Sequence, residues 1–155
     1  MKQILRLAFI LLVAASFSSC MKVVDIPRQE AVNPITGSWV VSAADENDGY
    51  SWQPFSPGFG NGVFDFYDHG SVQYNDGNIT FAGNWYVTTT GNSYYDEYGN
   101  FYTGTHQSLE TQMTDSYSGN TLNLYFDYIR FVNSNYFIAT YFDGKYIERV
   151  SFSRY

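Results

Sequence analysis

Residues 120–131 read Asn-Thr-Leu-Asn-Leu-Tyr-Phe-Asp-Tyr-Ile-Arg-Phe. Leu122, Leu124, Phe126 and Tyr128 fall on one side of an extended chain; Thr121, Asn123 and Asp127 fall on the other. Side chains of a strand alternate between its two faces, so a period of two with one polar side predicts an antiparallel strand, dry on one face and wet on the other. The same period recurs on both sides of this stretch. Phe64 and Phe66 flank Asp65, and Val150 and Phe152 alternate with Arg149, Ser151 and Ser153. With 15 Tyr and 13 Phe among 155 residues, and Gly and Asn between the runs, the composition is that of a β-protein. No long window carries an apolar stripe at helical spacing.

Turn signals divide the runs. Asp143-Gly144 is the strongest, and Asp76-Gly77, His69-Gly70, Gly119-Asn120 and Asn133-Ser134-Asn135 serve similarly. Strands are predicted near 37–44, 62–68, 71–75, 81–90, 105–113, 120–131, 135–142 and 145–154. About eight antiparallel strands joined by short turns predict an all-β, up-and-down β-barrel, because closure removes the exposed sheet edges. A flattened or partly open barrel is the alternative.

The N-terminus has a different grammar. Lys2 and Arg6 precede the apolar run Leu7–Ala15, and Phe17-Ser18-Ser19 leads into Cys20, the single cysteine. A charged start, a short apolar core and small residues before a cut describe a secretory signal over 1–19. The run is far below the roughly twenty residues that a membrane-spanning helix needs. The segment resembles a bacterial lipobox, with Phe17 in place of the usual leucine, as in the relaxed lipoboxes of Bacteroidota-type lipoproteins. The resemblance implies lipidation of Cys20, a mature chain starting there, and permanent attachment to the membrane through that lipid. Residues 20–34, with Pro27 and Pro34 and no periodicity, read as a tether. Residues 35–155 read as one domain, near the commonest domain size.

Charge narrows the partners. The chain carries a net −7, and the signal removes two of its eight basic residues. No Lys or Arg occurs from Gln29 to Ile129. Nucleic acid and acidic lipid headgroups need basic residues to displace counterions, so that stretch offers them no surface. The acidity reads as an aid to solubility.

Gly37-Ser38-Trp39 at the start of the first strand resembles the Gly-x-Trp signature of lipocalins. Phe64-Asp65-Phe66 followed by Gly70 resembles a segment of small bacterial lipocalin-like lipoproteins, and Gly83-Asn84-Trp85 echoes the first motif. The resemblance covers 35–155 and implies a lipocalin-like barrel. In such a barrel the first and last strands pair antiparallel, which makes Trp39 and Arg154 neighbours. Arg154 is expected to cover Trp39 as a cation–π contact worth about 0.5–2 kcal/mol, and Gly37 to let another backbone approach closely. Gly37, Trp39 and Arg154 are thus the residues of barrel closure.

Chemistry-bearing clusters are sparse. No Gly-x-Ser-x-Gly elbow is present, and His69 and His106 read as exposed turn histidines, so no catalytic residue is assigned. No pair of histidines has zinc-ligand spacing, and Asp45-Glu46-Asn47-Asp48-Gly49 lacks the spacing of a calcium loop, reading instead as a solvated loop. No cofactor or metal is expected. Aromatic residues crowd two loops: Tyr50, Trp52, Phe55 and Phe59 among Pro and Gly, and Tyr94, Tyr95, Tyr98, Phe101 and Tyr102 further on. These fold back as a lid over the barrel mouth, form a stacking platform for a sugar or apolar ligand, or meet another protein.

The sequence therefore points to a non-enzymatic lipoprotein of the cell envelope, lipid-anchored in the outer membrane with the periplasmic face favoured. Its function is expected to be that of a binding or carrier module for a small apolar or glycan ligand, with Tyr50, Trp52, Phe55 and Phe59 as ligand-binding residues. The alternative is a structural or protein-interaction component with a packed barrel. Trp39, Phe66, Trp85 and Leu124 filling the interior would favour that alternative.

Overall fold

A computed structural model describes residues 33–155. The signal segment 1–19, Cys20 and the tether as far as residue 32 lie outside the described residues. The described chain is all-β, without a helix. Its strands are β1 (Gly37–Asn47), β2 (Trp52–Pro54), β3 (Val63–Phe66), β4 (Ser71–Asn75), β5 (Thr80–Thr90), β6 (Ser93–Tyr95), β7 (Phe101–Thr103), β8 (His106–Thr114), β9 (Thr121–Phe126), β10 (Tyr128–Asn133), β11 (Tyr136–Phe142) and β12 (Ile147–Arg154).

One antiparallel sheet runs β10-β11-β12-β1-β3-β4-β5-β8-β9, with β2 added alongside β1. Apart from the β12–β1 pairing, neighbours follow chain order, as a meander of short turns dictates. Those turns are held by their own aspartates. The Asp143 carboxylate accepts the N–H groups of Lys145 and Tyr146, and Asp76 does the same for Asn78 and Ile79. These donors hold both carboxyls below the usual range.

The ladder does not close into a barrel among the described residues. The predicted strand 120–131 is two strands: β9 pairs with β8 and β10 pairs with β11, with only Asp127 between them. Asp127 steps out of the ladder and its carboxylate accepts the N–H of Phe142. One unpaired residue reverses every side chain beyond it. Phe126 is buried in the core, yet Ile129, not Tyr128, is the next residue to point inward. Tyr128, expected beside Leu122, Leu124 and Phe126, lies on the opposite face.

The sheet nonetheless curls around one core. Phe126 on β9 and Phe152 on β12, far apart along the ladder, have ring centroids 6.0 Å apart. Phe64 meets Phe152 at 6.0 Å, and Phe152 stacks on Phe137 at 4.5 Å. Trp39, Phe66 and Trp85 are buried in the same cluster, and Leu124 packs against it. The interior is full of rings. Gly83 shows how close the backbones come, since a Cβ there would stand 1.8 Å from the carbonyl oxygen of Gln112 on β8.

One end of the sheet is stapled by Arg154. Trp39 and Arg154 are ladder partners, and the guanidinium lies 4.0 Å over the indole. It also donates to the carbonyls of Thr36 (2.6 Å), Pro34 (3.2 Å) and Ser134 (3.0 Å). The buried indole N–H donates to Ile35 at 2.6 Å. Gly37 is required here. Its φ is +120°, and a Cβ would sit 1.9 Å from the guanidinium.

Arg154→Ala is expected to cost about 2–3 kcal/mol, from the lost cation–π contact and charge-assisted hydrogen bonds. Gly37→Ala pushes the same guanidinium away, so the double variant should fall short of additivity by about 1 kcal/mol in urea unfolding. Strict additivity would mean that Gly37 does not serve Arg154.

Candidate functional site

Four places in the described chain carry side chains with chemical potential, and their geometry separates them. The first is the outer face of β8, β10, β11 and β12. The second aromatic loop is a hairpin, β6–β7, laid on that face and not over the mouth. Tyr94 stacks on Tyr128 at 4.8 Å and on His106 at 4.1 Å, and Thr140 donates to the carbonyl of Tyr95 at 2.6 Å. His106 is therefore buried beneath Tyr94, not exposed as its polar surroundings suggested. Its Nδ1 donates to the carbonyl of Gly104 at 2.8 Å. Burial and the neighbouring Glu97 push the Tyr128 hydroxyl up to about 12, so Tyr128 keeps its proton at neutral pH.

Two arginines pin the hairpin tip. Glu97, almost fully buried, pairs with Arg130. Arg149 donates to the Glu97 carbonyl at 2.8 Å and to the Asp45 carboxylate at 3.0 Å, and lies 4.1 Å over the ring of Trp52. Two of the few basic residues are thus spent on holding the hairpin down.

The second place is the first aromatic loop, and it is not one platform. Tyr50 is 94% exposed, Trp52 lies under Arg149, and Phe55 and Phe59 pack against the core. The Trp52 ring sits with Arg149 and Asp45, both on the outward face of the sheet, while Phe59 turns inward to Phe64 (5.9 Å) and Phe126 (6.5 Å). The expected four-residue binding surface is corrected accordingly: alternation along β2 and the turn after it send these rings to different faces. The adjoining acidic loop is also occupied by its own backbone. Asn47 accepts the N–H of Gly49, and Asp48 those of Tyr50 and Ser51. Among the described residues no group of three or more His, Cys, Asp or Glu is placed to hold a metal ion.

The third place is a hydrogen-bonded series within one turn. Asp68 accepts from His69 Nδ1 at 3.1 Å, and Ser71 donates to His69 Nε2 at 2.9 Å. This has the order of a hydrolytic triad. It lacks the setting: the His69 and Asp68 side chains are 71% and 83% exposed, where water competes for each bond and screens each charge. All three residues belong to a single turn, which explains their proximity without any function.

The fourth place is concave. Where no ladder joins β9 to β11, a cavity of about 300 Å³ is lined by Phe59, Asn123, Leu124, Tyr125, Phe126, Tyr141 and Glu148. Tyr125 and Tyr141 meet edge-to-face across this seam at 6.4 Å. Of the four proposed ligand residues, Phe59 alone reaches it. Glu148, Tyr141 and Leu124 were not singled out as site residues from sequence. Glu148 shares its alternation face with Val150 and Phe152, which was the available signal.

No protein-family model matches the chain, and neither a curated protein nor a solved structure matches it.

If the exposed turn is chemically idle, Ser71→Ala will leave the rate of p-nitrophenyl acetate hydrolysis unchanged. A loss of about a hundredfold or more, the lower range for removing a general base or nucleophile, would make it catalytic.

Proposed function

We propose that the protein is a lipid-anchored, non-enzymatic binding module of the cell envelope, a lipocalin-like wrap with a packed interior and its ligand seat at the rim. The observation that carries this is the contrast between the two spaces. The centre is filled by Trp39, Phe64, Phe137 and Phe152, all fully buried, whereas the concavity beside Phe59 stands open. Its volume lies at the lower end of the roughly 300–1,000 Å³ of small-molecule pockets. A seat of this size takes a small aromatic or sugar-sized molecule, not a long acyl chain.

Several features support the lipocalin-like part of the proposal. The first and last strands pair antiparallel, and Arg154 covers Trp39. The two ends of the ladder, β9 and β10, are consecutive in the chain with one residue between them, so the wrap is continuous covalently where its hydrogen bonds are interrupted. The anchor rests on the lipobox-like segment before Cys20. Placement in the outer membrane, facing the periplasm, extends that reading. The packed interior also favours the alternative of a structural or protein-interaction component, and ligand binding separates the two.

Cys20→Ser should abolish incorporation of labelled palmitate and move the protein out of the membrane fraction; retention of the label would remove the anchor. For the seat, N-phenyl-1-naphthylamine is expected to bind with a stoichiometry of one. Phe59→Ala should weaken it by about tenfold, the equivalent of 1.4 kcal/mol. Palmitate should not displace the probe. Displacement by palmitate would instead indicate a deep central cavity. Absence of binding by any small ligand would favour the structural component.

A further inference from the structure

The seam cavity has an electrostatic peculiarity that its apolar walls do not explain. Glu148 stands on the inward face of β12, and its ladder partner on β1 is Glu46. On its other side the partner is Tyr141 of β11. Like charges directly opposite each other in a sheet are destabilising. Asp143, in the turn between β11 and β12, adds a third negative charge nearby. Burial first, then Asp143 and Glu46, raises the Glu148 carboxyl above its ordinary value.

Among the described residues no cation is paired with Glu148 itself, although Lys145 is close enough to act on Glu46 and Asp143. Glu148 has neither an ion pair nor a hydrogen bond among them, and neither does the Glu46 carboxylate. Arg149 and Arg130 are engaged on the outer face, and Arg154 staples the opposite end of β12. Lys145, the remaining basic group nearby, is held over the ring of Tyr146 and bonded to its hydroxyl. The cavity thus offers aromatic and aliphatic walls from Phe59, Tyr125, Tyr141, Leu124 and Phe126, with one carboxylate at its edge. A metal ion finds no ligand set there. An ammonium group on an apolar body meets both needs, because its charge relieves the facing carboxylates and the electron-rich faces of the rings attract it.

We propose that the seam cavity binds a small organic cation, an ammonium carried on an aromatic or short aliphatic body, with Glu148 as its counter-ion and Phe59 and Tyr141 as its walls. This rests on the rim-seat reading above and specifies its ligand class. Glu46 acts on the site from across the ladder, raising the negative potential without lining the cavity.

The test is a charge series of equal shape titrated calorimetrically into the full-length protein: phenethylamine, 2-phenylethanol and 3-phenylpropionate. Phenethylamine is expected to bind at least tenfold more tightly than the alcohol, and the carboxylate not at all. Glu148→Gln should remove that preference, bringing the amine's affinity down to that of the alcohol for the same variant. Affinity for the amine should fall as the pH is lowered and Glu148 takes up a proton. Equal binding of amine and alcohol, or an amine affinity unmoved by Glu148→Gln, would overturn the cation assignment and leave the rim seat standing. Failure of all three ligands to bind would remove both. A second readout needs no ligand. The raised carboxyl makes ionised Glu148 a growing burden on the fold as pH rises through its folded value. Glu148→Gln should therefore raise Tm at pH 7, with the gain vanishing below pH 4. A Tm at pH 7 that is unchanged or lowered would mean that the facing carboxylates are already neutralised, and the proposal would fall.

Discussion

The contact on which the rest of the structure depends is the guanidinium of Arg154 lying over the indole of Trp39. It joins the last strand to the first, and its remaining donors gather the carbonyls of residues 34, 36 and 134 onto the same spot. Trp39 is thereby sealed, with Phe137 at 4.7 Å edge-on beneath it. Burying an aromatic side chain removes about 150–250 Å² from water, so at roughly 25 cal/mol per Å² this ring supplies several kcal/mol to the core. The cation adds less energy than the burial does. Its role is to hold in place the segment that keeps water from the indole.

From that staple the remaining order follows by pairing. β12 and β1 fix each other's register, and β11 and β3 are placed on either side. The inward residues of these strands then pack ring against ring: Phe137 stacked on Phe152, Phe152 edge-on to Phe64, Phe64 tilted against Tyr74 at 4.6 Å. A core built from rings packed on rings fills its centre with side chains, and the open cavity beside Phe59 lies where the sheet is incomplete. The seam at Asp127 is such a place. The break at Asp127 that turns Tyr128 outward, to be covered by Tyr94, lies where no ladder joins β9 to β11 and the cavity opens between them.

Much of the fold was legible because its signals are local. Alternation over Phe64–Phe66 and Val150–Phe152 is a property of a few consecutive residues, and Asp143-Gly144 makes its turn with its own carboxylate. The Trp39–Arg154 neighbourhood followed from the antiparallel pairing of the chain's ends. The break at Asp127 was not legible. Nothing within residues 120–131 announces it, since it arises when β8 claims the first half of the segment and β11 the second. The hairpin β6–β7 was misplaced for a related reason: an aromatic loop has the same composition whether it covers a mouth or an outer face. Arg149 and Glu97, which decide the matter, lie far apart in sequence. The site was least legible of all. Loop aromatics drew attention, yet three of those four rings avoid the cavity, and the carboxylate that marks it was hidden in a strand pattern counted only for its apolar members.

The distribution of charge makes the two ends of β1 and β12 chemically opposite. Trp39 and Glu46 are seven positions apart on β1, roughly 20 Å at about 3.3 Å per residue once the bulge at Ser42 is allowed for. At one end a cation covers a ring and each of its three nitrogens has an acceptor. At the other, Glu148 and Glu46 face each other, and the nearby Lys145 lies over Tyr146 and not over the rings of the cavity. Among the described residues Arg130 and Arg149 answer Glu97 and Asp45 on the outer face, and no cation pairs with Glu148. A packed core tolerates an unrelieved like-charge pair only at its rim, where solvent softens the repulsion. That same position leaves the pair open to a mobile counter-ion. The end whose cavity carboxylate has no paired cation is the end where a foreign one has most to gain.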